Sequence, residues 1–253
     1  MNQHLYILTG GSRGMGLAMA QQLLQPGHLL LCISRQSNDT LAALASASGA
    51  QLLQWQADLA DGAAVAQRLQ DWLGTQDAAS LASATLINNA GVIPRIGPLS
   101  QADAHDLAHA LRVGLEAPMQ LSAAFLGSTE GWGIPRKVLN ISSGLGRRSM
   151  ASQAGYCAAK AGMDHFTRCL ALDEALKPQG ARVCSLAPGV IDTDMQVQLR
   201  GANGADFPDQ GNFRQLKETG MLSSPQDAAA KVLAYLARPD FGANPVADVR
   251  DPA

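Results

Sequence analysis

The amino-acid sequence predicts a single-domain, doubly wound α/β fold: a parallel sheet of about seven strands with helices on both faces. Apolar runs such as "HLLLCI" and "RVCSLA" alternate along the chain with segments of helical periodicity. Runs that are apolar throughout are typical of strands buried on both faces of a parallel sheet. The alternation of the two patterns favours right-handed βαβ units.

The apolar runs predict seven strands, at roughly 4–9, 28–33, 51–57, 84–88, 136–142, 181–187 and 244–249. Helical periodicity predicts helices near 15–25, 39–48, 62–73, 100–126, 152–177 and 225–237. Polar residues at Asp61 and Ser100 and the proline at Pro225 indicate helix starts. No change in composition divides residues 1–253 into two domains.

One segment departs from this alternation. Residues 197–224, "VQLRGANGADFPDQGNFRQLKETGMLSS", have weak periodicity and many Gly, Asn and Asp residues. Connections of this length in a compact domain are usually functional or mobile. Because the segment follows a late strand, we interpret it as a candidate lid over a substrate site.

Composition excludes several classes of protein. Of the 253 residues, 47% are hydrophobic and 16% charged, and the formal net charge is −2. This balance argues against disorder and against a nucleic-acid or membrane-surface partner. The four cysteines form no C-x-x-C pair, which predicts a reducing, cytoplasmic location and no metal site. The start "MNQHLYILTG" resembles a first strand rather than a signal peptide, and no apolar run is long enough to span a membrane.

The stretch "TGGSRGMG" follows the first predicted strand and opens the first predicted helix. Glycines allow a phosphate to approach the backbone, and free N–H groups at a helix start favour an anion. A strand, glycine turn and helix in this order indicate a Rossmann-type dinucleotide site. A glycine turn alone is also compatible with an ordinary tight turn.

Five motifs together are far more specific. The spacing T-G-x-x-x-G-x-G at Thr9 resembles the short-chain dehydrogenase/reductase family, and "NNAG", "NISS", "YCAAK" and "APG" follow in that family's order over nearly the whole chain. The resemblance implies an oxidoreductase that uses a nicotinamide dinucleotide and acts on CH–OH or C=O groups. It implies cofactor contacts at Thr9, Gly10, Ser12, Arg13, Gly14, Met15, Gly16, Ser34, Arg35, Asp58, Leu59, Asn89, Ala90, Gly91, Tyr156, Lys160, Gly189, Val190, Ile191 and Thr193.

The end of the second strand predicts NADP rather than NAD. An acidic residue there usually holds a free ribose 2′-hydroxyl, but this chain has Ser34 and Arg35 and no acid before Asp39. A guanidinium suits a 2′-phosphate, and Arg13 could face the same phosphate. Arg35 could instead be a solvated surface arginine. Likewise, Asp58 could be a helix-entry acid rather than an adenine contact.

The expected catalytic residues are Ser143, Tyr156 and Lys160. Tyr156 and Lys160 are four residues apart on a predicted helix and so share a face. A nearby lysine cation is expected to lower the tyrosine pKa, so that Tyr156 exchanges a proton with the substrate oxygen. Ser143, at the end of the fifth strand, is expected to orient that oxygen. Taken singly, each could be an ordinary core or surface residue.

One position departs from the family pattern. Gly114 in "LRVGLEAPMQL" stands where the family usually has an asparagine that extends a proton relay from the lysine. Glycine supplies no side-chain amide, although a second water could take its place. We therefore question the full relay and retain the serine, tyrosine and lysine.

The carboxyl-terminal half looks like that of sepiapterin reductases and bacterial benzil reductases, from "PGVIDTDMQ" and the ending "GANPVADVRDPA". The resemblance implies substrate contacts at Ser143, Tyr156 and Gly189, and at Asp248, whose carboxylate would bind N–H donors of a pterin. Asp248 could also be a solvent-exposed tail acid. Four apolar residues could form a wall of the substrate site or pack in the core. They are Trp132, Met150, Met195 and Phe207.

The favoured function is therefore an NADPH-dependent carbonyl reductase of a small dicarbonyl or pterin-type substrate. Two alternatives stay open: a non-catalytic NADP-binding sensor, and an alcohol dehydrogenase that runs the reverse reaction. The family also implies a homodimer through the helices at 100–126 and 152–177. The positions that fit such an apolar stripe are Leu107, Leu111, Leu115 and Phe125.

Overall fold

The structure, a computed structural model, describes residues 3–252. Within that range the chain forms a seven-stranded sheet in which every pairing between neighbouring strands is parallel. The strands are β1 Gln3–Thr9, β2 His28–Ser34, β3 Gln51–Gln56, β4 Leu81–Asn88, β5 Arg136–Ile141, β6 Arg182–Ala187 and β7 Val246–Asp248. The strand order, β3-β2-β1-β4-β5-β6-β7, confirms the predicted doubly wound fold.

Helices cover both faces of the sheet. They are α1 Gly14–Leu23, α2 Asp39–Ser48, α3 Gly62–Leu73, α4 Ala104–Leu111, α5 Ala117–Thr129, α6 Ala154–Ala175, α7 Asp194–Gly201, α8 Gln210–Glu218 and α9 Pro225–Ala237. On one face α1 and α9 bury Met19 and Val232 against the strands. On the other face α3 and α5 bury Leu69 and Phe125. The strands in the middle of the sheet are therefore covered on both sides, which explains their continuous apolar runs.

The helix predicted over 100–126 is a helical stretch in the structure, but it starts at Ala104 and is not a regular α-helix throughout. A short turn at Leu99–Gln101 precedes α4, and a widened π-type turn at Arg112–Glu116 separates α4 from α5. Pro118 lies four residues after Gly114, has no N–H to donate to the Gly114 carbonyl, and its ring would crowd that carbonyl in a regular helix. The widened turn is the local response.

Gly114 also brings this turn close to α6. A Cβ atom at position 114 would lie 3.3 Å from the Cβ of Ala159, one residue before Lys160. The departure from the family pattern therefore coincides with a tight contact between two helices.

The segment at 197–224 is folded rather than irregular. It contains most of α7 and all of α8, which pack around a small apolar cluster of Leu199, Phe207 and Phe213. The rings of Phe207 and Phe213 stack with their centroids 5.6 Å apart. Two helices of eight and nine residues are too short to give a clear periodic signal, which explains the weak pattern in the sequence.

Two further features concern the whole chain. Across residues 3–252, no helix combines the length and the apolar character needed to cross a membrane. All four cysteines are free thiols, and Cys32 and Cys184 are buried.

Candidate active site

A large cleft, about 1440 Å³ in volume, opens at the carboxyl ends of the strands. It lies where the strand order reverses between β1 and β4, the usual ligand position in doubly wound sheets. Every site residue expected from the sequence lines it except Thr9; these are Gly10, Ser12, Arg13, Gly14, Met15, Gly16, Ser34, Arg35, Asp58, Leu59, Asn89, Ala90, Gly91, Ser143, Tyr156, Lys160, Gly189, Val190, Ile191, Thr193 and Asp248.

Thr9 supports the glycine turn from below. Its buried hydroxyl accepts hydrogen bonds from the backbone N–H groups of Asn89 and Ala90, both at 3.0 Å. The Asn89 amide in turn donates to the Thr9 carbonyl at 2.9 Å. The expected contact of Thr9 with a cofactor is therefore replaced by a bracing role, in which the ends of β1 and β4 are joined.

The glycines of the turn are required by close approach. A Cβ at Gly16 would lie 2.0 Å from the Gly10 carbonyl oxygen and 2.5 Å from the Asn89 side-chain nitrogen. Gly10 and Gly14 have φ values of +71° and +55°, which disfavour other residues. Gly11 is also confined, because a Cβ there would lie 2.8 Å from the Cys32 sulfur. The turn leaves the start of α1 open to an anion such as a pyrophosphate.

The end of β2 carries two polar groups. Ser34 is buried, and its hydroxyl has no hydrogen-bond partner in the part of the chain that the structure describes. Arg35 is exposed at the rim of the cleft. A buried hydroxyl without a partner is uncommon in proteins and fits a ligand ribose or phosphate at this position. Asp58 caps the next turn by accepting the Ala60 N–H at 2.9 Å, as the helix-entry alternative predicts.

Arg13 is paired within the chain, whereas the sequence suggested that it could face a cofactor phosphate. Its guanidinium forms an ion pair with Asp194 at 3.0 Å, between the glycine turn and the start of α7, rather than extending free toward a phosphate. Both side chains are exposed, and exposed pairs of this kind contribute little stability. The pair can therefore exchange for a phosphate contact at small cost.

The three expected catalytic residues meet at the middle of the cleft. Ser143 follows β5, and Tyr156 and Lys160 occupy successive turns of α6. Lys160 is buried, and its ammonium group donates to the Ile141 carbonyl at 2.7 Å and lies 5.8 Å from the centre of the Tyr156 ring. A Cβ at Gly91 would lie 3.7 Å from that ammonium group, so the lysine also borders the "NNAG" loop.

Burial sets the protonation states of this group. It raises the pKa of Tyr156 to about 12, and a hydrogen bond with Ser143 acts in the opposite direction. Burial also lowers the pKa of Lys160 to about 8, against the attraction of Asp164. The Tyr156 pKa is therefore raised, whereas the sequence led us to expect a lowered value, because desolvation of the phenol is the largest contribution. Tyr156 is therefore protonated at neutral pH and available as a proton donor.

Asp164 is a buried acid that the sequence prediction missed. Its carboxylate accepts hydrogen bonds from the hydroxyls of Ser142 at 2.5 Å and Ser185 at 2.6 Å, and from Arg147 at 3.3 Å. Arg147 also donates to the Ala247 carbonyl at 2.6 Å. The network ties β5, β6, β7 and α6 together beneath the catalytic residues. The sequence signal that could have revealed Asp164 is its position four residues after Lys160, on the same face of the helix.

Asp248 is neither a free anchor nor an exposed tail acid. It is largely buried at the end of β7, and its carboxylate accepts two hydrogen bonds from the Arg250 guanidinium, at 2.7 and 2.6 Å. A third comes from the Arg250 backbone N–H at 3.0 Å. These contacts hold the Asp248 pKa below its usual value. A substrate with N–H donors would compete with Arg250 for this carboxylate.

The apolar residues considered for a substrate wall divide into two groups. Met150 and Met195 line the cleft. Trp132 packs against the core beneath α5, and Phe207 lies inside the cluster formed with α7 and α8. Only the two methionines therefore stay as wall residues.

The chain belongs to the short-chain dehydrogenase family, whose model matches residues 4–204. It is 34% identical over 235 residues to a benzil reductase ((S)-benzoin forming) of Bacillus cereus, covering 93% of this chain and 94% of that protein. It is 32% identical over 256 residues to a sepiapterin reductase of Meriones unguiculatus, covering 97% and 95%. These matches confirm the predicted resemblance.

A solved structure gives the same fold. The 3-oxoacyl-[acyl-carrier protein] reductase of Brucella melitensis in complex with NAD superposes with a TM-score of 0.81 at 22% identity, over 98% of this chain and 96% of that one. Solved structures that this chain resembles include complexes with NAD and with NADP. The family match and the two reductases identify the chain as an oxidoreductase.

The glycine turn gives a direct test of the dinucleotide site. Gly16→Ala should weaken dinucleotide binding at least tenfold, because the added methyl group must displace the Gly10 carbonyl or the Asn89 amide. The dissociation constant can be measured by protein fluorescence or calorimetry. Gly127→Ala in α5 is the matched control, since a Cβ there meets nothing within 4 Å. Equal affinity in both variants would contradict this assignment.

Proposed function

We propose that the protein is an NADPH-dependent carbonyl reductase of small vicinal dicarbonyl compounds. The observation that carries the proposal is the meeting of Ser143, Tyr156 and Lys160 in one cleft, with Tyr156 and Lys160 both buried. A buried, protonated phenol suits a reduction, in which the carbonyl oxygen must gain a proton. The same phenol would have to lose its proton before it could act in an alcohol oxidation.

Each of the three residues has its own role in the reduction of the carbonyl group. Ser143 donates a hydrogen bond to the substrate carbonyl oxygen and orients it. Tyr156 gives its proton to that oxygen, and the Lys160 cation stabilises the negative charge that develops on the phenol oxygen. When bound, NADPH supplies the hydride to the carbonyl carbon and becomes NADP⁺. The C=O group is thereby converted to CH–OH.

Several contacts support NADPH as the cofactor. Ser34, whose hydroxyl is unpaired, and Arg35, which is exposed, are consecutive residues at the end of β2, and Asp39 is the first acid after them. A 2′-phosphate provides acceptor oxygens for both groups. Arg13 would join them by exchanging its partner Asp194 for the phosphate.

The cofactor proposal predicts a charge-dependent change of preference. Arg35→Asp should weaken NADP⁺ binding about 10- to 100-fold, the range expected for one charge-assisted hydrogen bond, and affect NAD⁺ much less. Dissociation constants for both dinucleotides give the ratio. Arg168→Asp, on an exposed part of α6, makes the same change in net charge away from the cleft. A preference for NAD⁺ already present in the unaltered protein would overturn the proposal.

Asp248 favours a dicarbonyl substrate over a pterin. Its carboxylate is already held by the Arg250 fork, so the donor edge of a pterin would have to displace a charge-assisted pair. A diketone has no N–H donors, so its binding would leave the Asp248–Arg250 pair in place. The similarity to a benzil reductase supports the same choice.

Removing the Tyr156 hydroxyl tests the proton donor. Tyr156→Phe should lower the kcat for diketone reduction by at least 100-fold, since general acid catalysis contributes about 10²–10⁴. The NADPH dissociation constant should change little. Tyr6→Phe removes a hydroxyl from β1 and should leave turnover intact. Near-normal turnover by the Tyr156→Phe protein would refute the assignment.

The depressed Lys160 pKa predicts the pH dependence of the reaction. Lys160 is cationic below about pH 8 and neutral above it, whereas Tyr156 keeps its proton up to about pH 12. The kcat/KM for reduction should therefore be level below pH 8 and should fall above it as the cation is lost. A steady-state profile with saturating NADPH measures this. A profile that is level to pH 10 would contradict the role of Lys160.

The segment 197–224 is proposed to cover the substrate end of the cleft. Leu199 of α7 and Phe213 and Lys217 of α8 line it directly. Thr193, immediately before α7, lies beside the glycine turn, because a Cβ at Gly14 would be 3.6 Å from its methyl group. The two helices thus extend from the cofactor side to the substrate side.

We also propose that the protein forms a homodimer. The contact surface that we propose differs from the apolar stripe predicted from the sequence. Phe125 is in the core, and Leu107 and Leu115 pack toward glycines of α6 within the same chain. Leu172 and Leu176, near the end of α6, are instead 71% and 86% exposed. The free cysteines support a reducing, cytoplasmic location for this dimer.

Sedimentation equilibrium tests the dimer. The unaltered protein should have twice the 26.4 kDa mass of the chain. Leu172→Asp should shift it toward the single-chain mass, because a charge would be buried in the contact. A single-chain mass for the unaltered protein at micromolar concentration would overturn the proposal.

A further inference from the structure

Gln153 is an unexplained polar residue in the wall of the cleft. It immediately precedes α6, one helical turn before Tyr156, and is only 2% exposed. Neither its amide oxygen nor its amide nitrogen has a hydrogen-bond partner within residues 3–252. Gln153 nevertheless lines the cleft, as Ser143 and Tyr156 do.

An unpaired buried amide is costly. Nearly all buried donors and acceptors are paired in folded proteins, because leaving one of them without a partner destabilises the fold. The Gln153 backbone is already used, since its carbonyl accepts the Cys157 N–H at 2.8 Å. Its side chain therefore has no role in holding the start of α6. A ligand in the cleft would supply the missing partner.

The position of Gln153 limits what this ligand group can be. Gln153 lies immediately before the first turn of α6, three residues before Tyr156, and both side chains line the same cleft. The same cleft is also lined by Met150 and, from α7, Met195. A substrate whose reacting carbonyl lies at Ser143 and Tyr156 would therefore have both an amide and apolar side chains available for its remaining groups.

A second amide points to the same kind of ligand. Gln196 of α7 is 5% exposed, and its amide oxygen also has no partner within the described part of the chain. It lines the same cleft from the side of α7. The amide groups of Gln153 and Gln196 thus provide unused hydrogen-bonding capacity in the wall of one cleft.

We infer that Gln153 binds the second oxygen of the dicarbonyl substrate and is a specificity-determining residue. While Ser143 and Tyr156 hold the oxygen of the carbonyl being reduced, the Gln153 amide N–H donates to the oxygen on the adjacent carbon. This inference rests on the proposed function and extends it. A site built to bond an oxygen discriminates against an analogue without it, because its own polar group is then left unpaired.

Two substrates that differ by one oxygen test the inference. Benzil has two adjacent carbonyl groups, and deoxybenzoin keeps one of them. The kcat/KM for each is measured with NADPH in the unaltered protein and in Gln153→Met, and the quantity compared is the benzil-to-deoxybenzoin ratio. Because intrinsic reactivity is the same in both proteins, it cancels when the two ratios are divided.

The Gln153→Met protein should show a benzil-to-deoxybenzoin ratio at least tenfold lower than the unaltered protein. Gln153→Leu, with a different apolar shape, should show the same direction of change. The dissociation constant for NADPH confirms that each variant is folded. Gln67→Met, on the exposed face of α3, is the control and should keep the original ratio.

The outcomes separate the two proposals. An unchanged ratio in both Gln153 variants, with benzil still reduced, overturns the role of Gln153 and leaves the proposed function standing. If the unaltered protein binds NADPH and reduces neither ketone, the proposed function fails and this inference falls with it. A lower ratio in both variants supports the inference.

Discussion

The contact between the ends of β1 and β4 is the constraint on which the rest of the site depends. The Thr9 hydroxyl holds two backbone N–H groups of the "NNAG" loop, and the Asn89 amide holds the Thr9 carbonyl. This bracing leaves no space for a side chain at Gly16. It fixes the glycine turn at the point where the strand order reverses, and so opens the cleft at that edge of the sheet.

Burial then determines the chemistry that the cleft can perform. Taking Tyr156 and Lys160 out of water raises the pKa of Tyr156 to about 12 and lowers the pKa of Lys160 to about 8, so the amine loses its charge just above neutral pH while the phenol keeps its proton. The Asp164 carboxylate beneath them favours the lysine cation. The same burial makes the unpaired Gln153 amide costly, and a polar substrate atom would relieve that cost.

Local patterns in the sequence predicted the parts of the structure that local forces decide. Apolar runs located the strands, and the five motifs located the cleft, because their residues follow strand ends that meet at one edge. Pairings between distant residues left no such signal. The Arg13–Asp194 pair joins residues far apart in the chain, and the Asp164 network joins three strands to a helix. The widened helical turn around Gly114 could have been predicted from Pro118. The unpaired Gln153 amide could be found only in the structure.

The central claim is that this site catalyses a reduction and does not merely bind a nucleotide. Steady-state oxidation of NADPH in the presence of benzil, followed at 340 nm, tests it most directly. Turnover should depend on both compounds, with an α-hydroxyketone as product and much slower turnover with NADH. Tight NADPH binding with no turnover of any vicinal diketone would show that the site does not catalyse this reduction and would favour a nucleotide-sensing role.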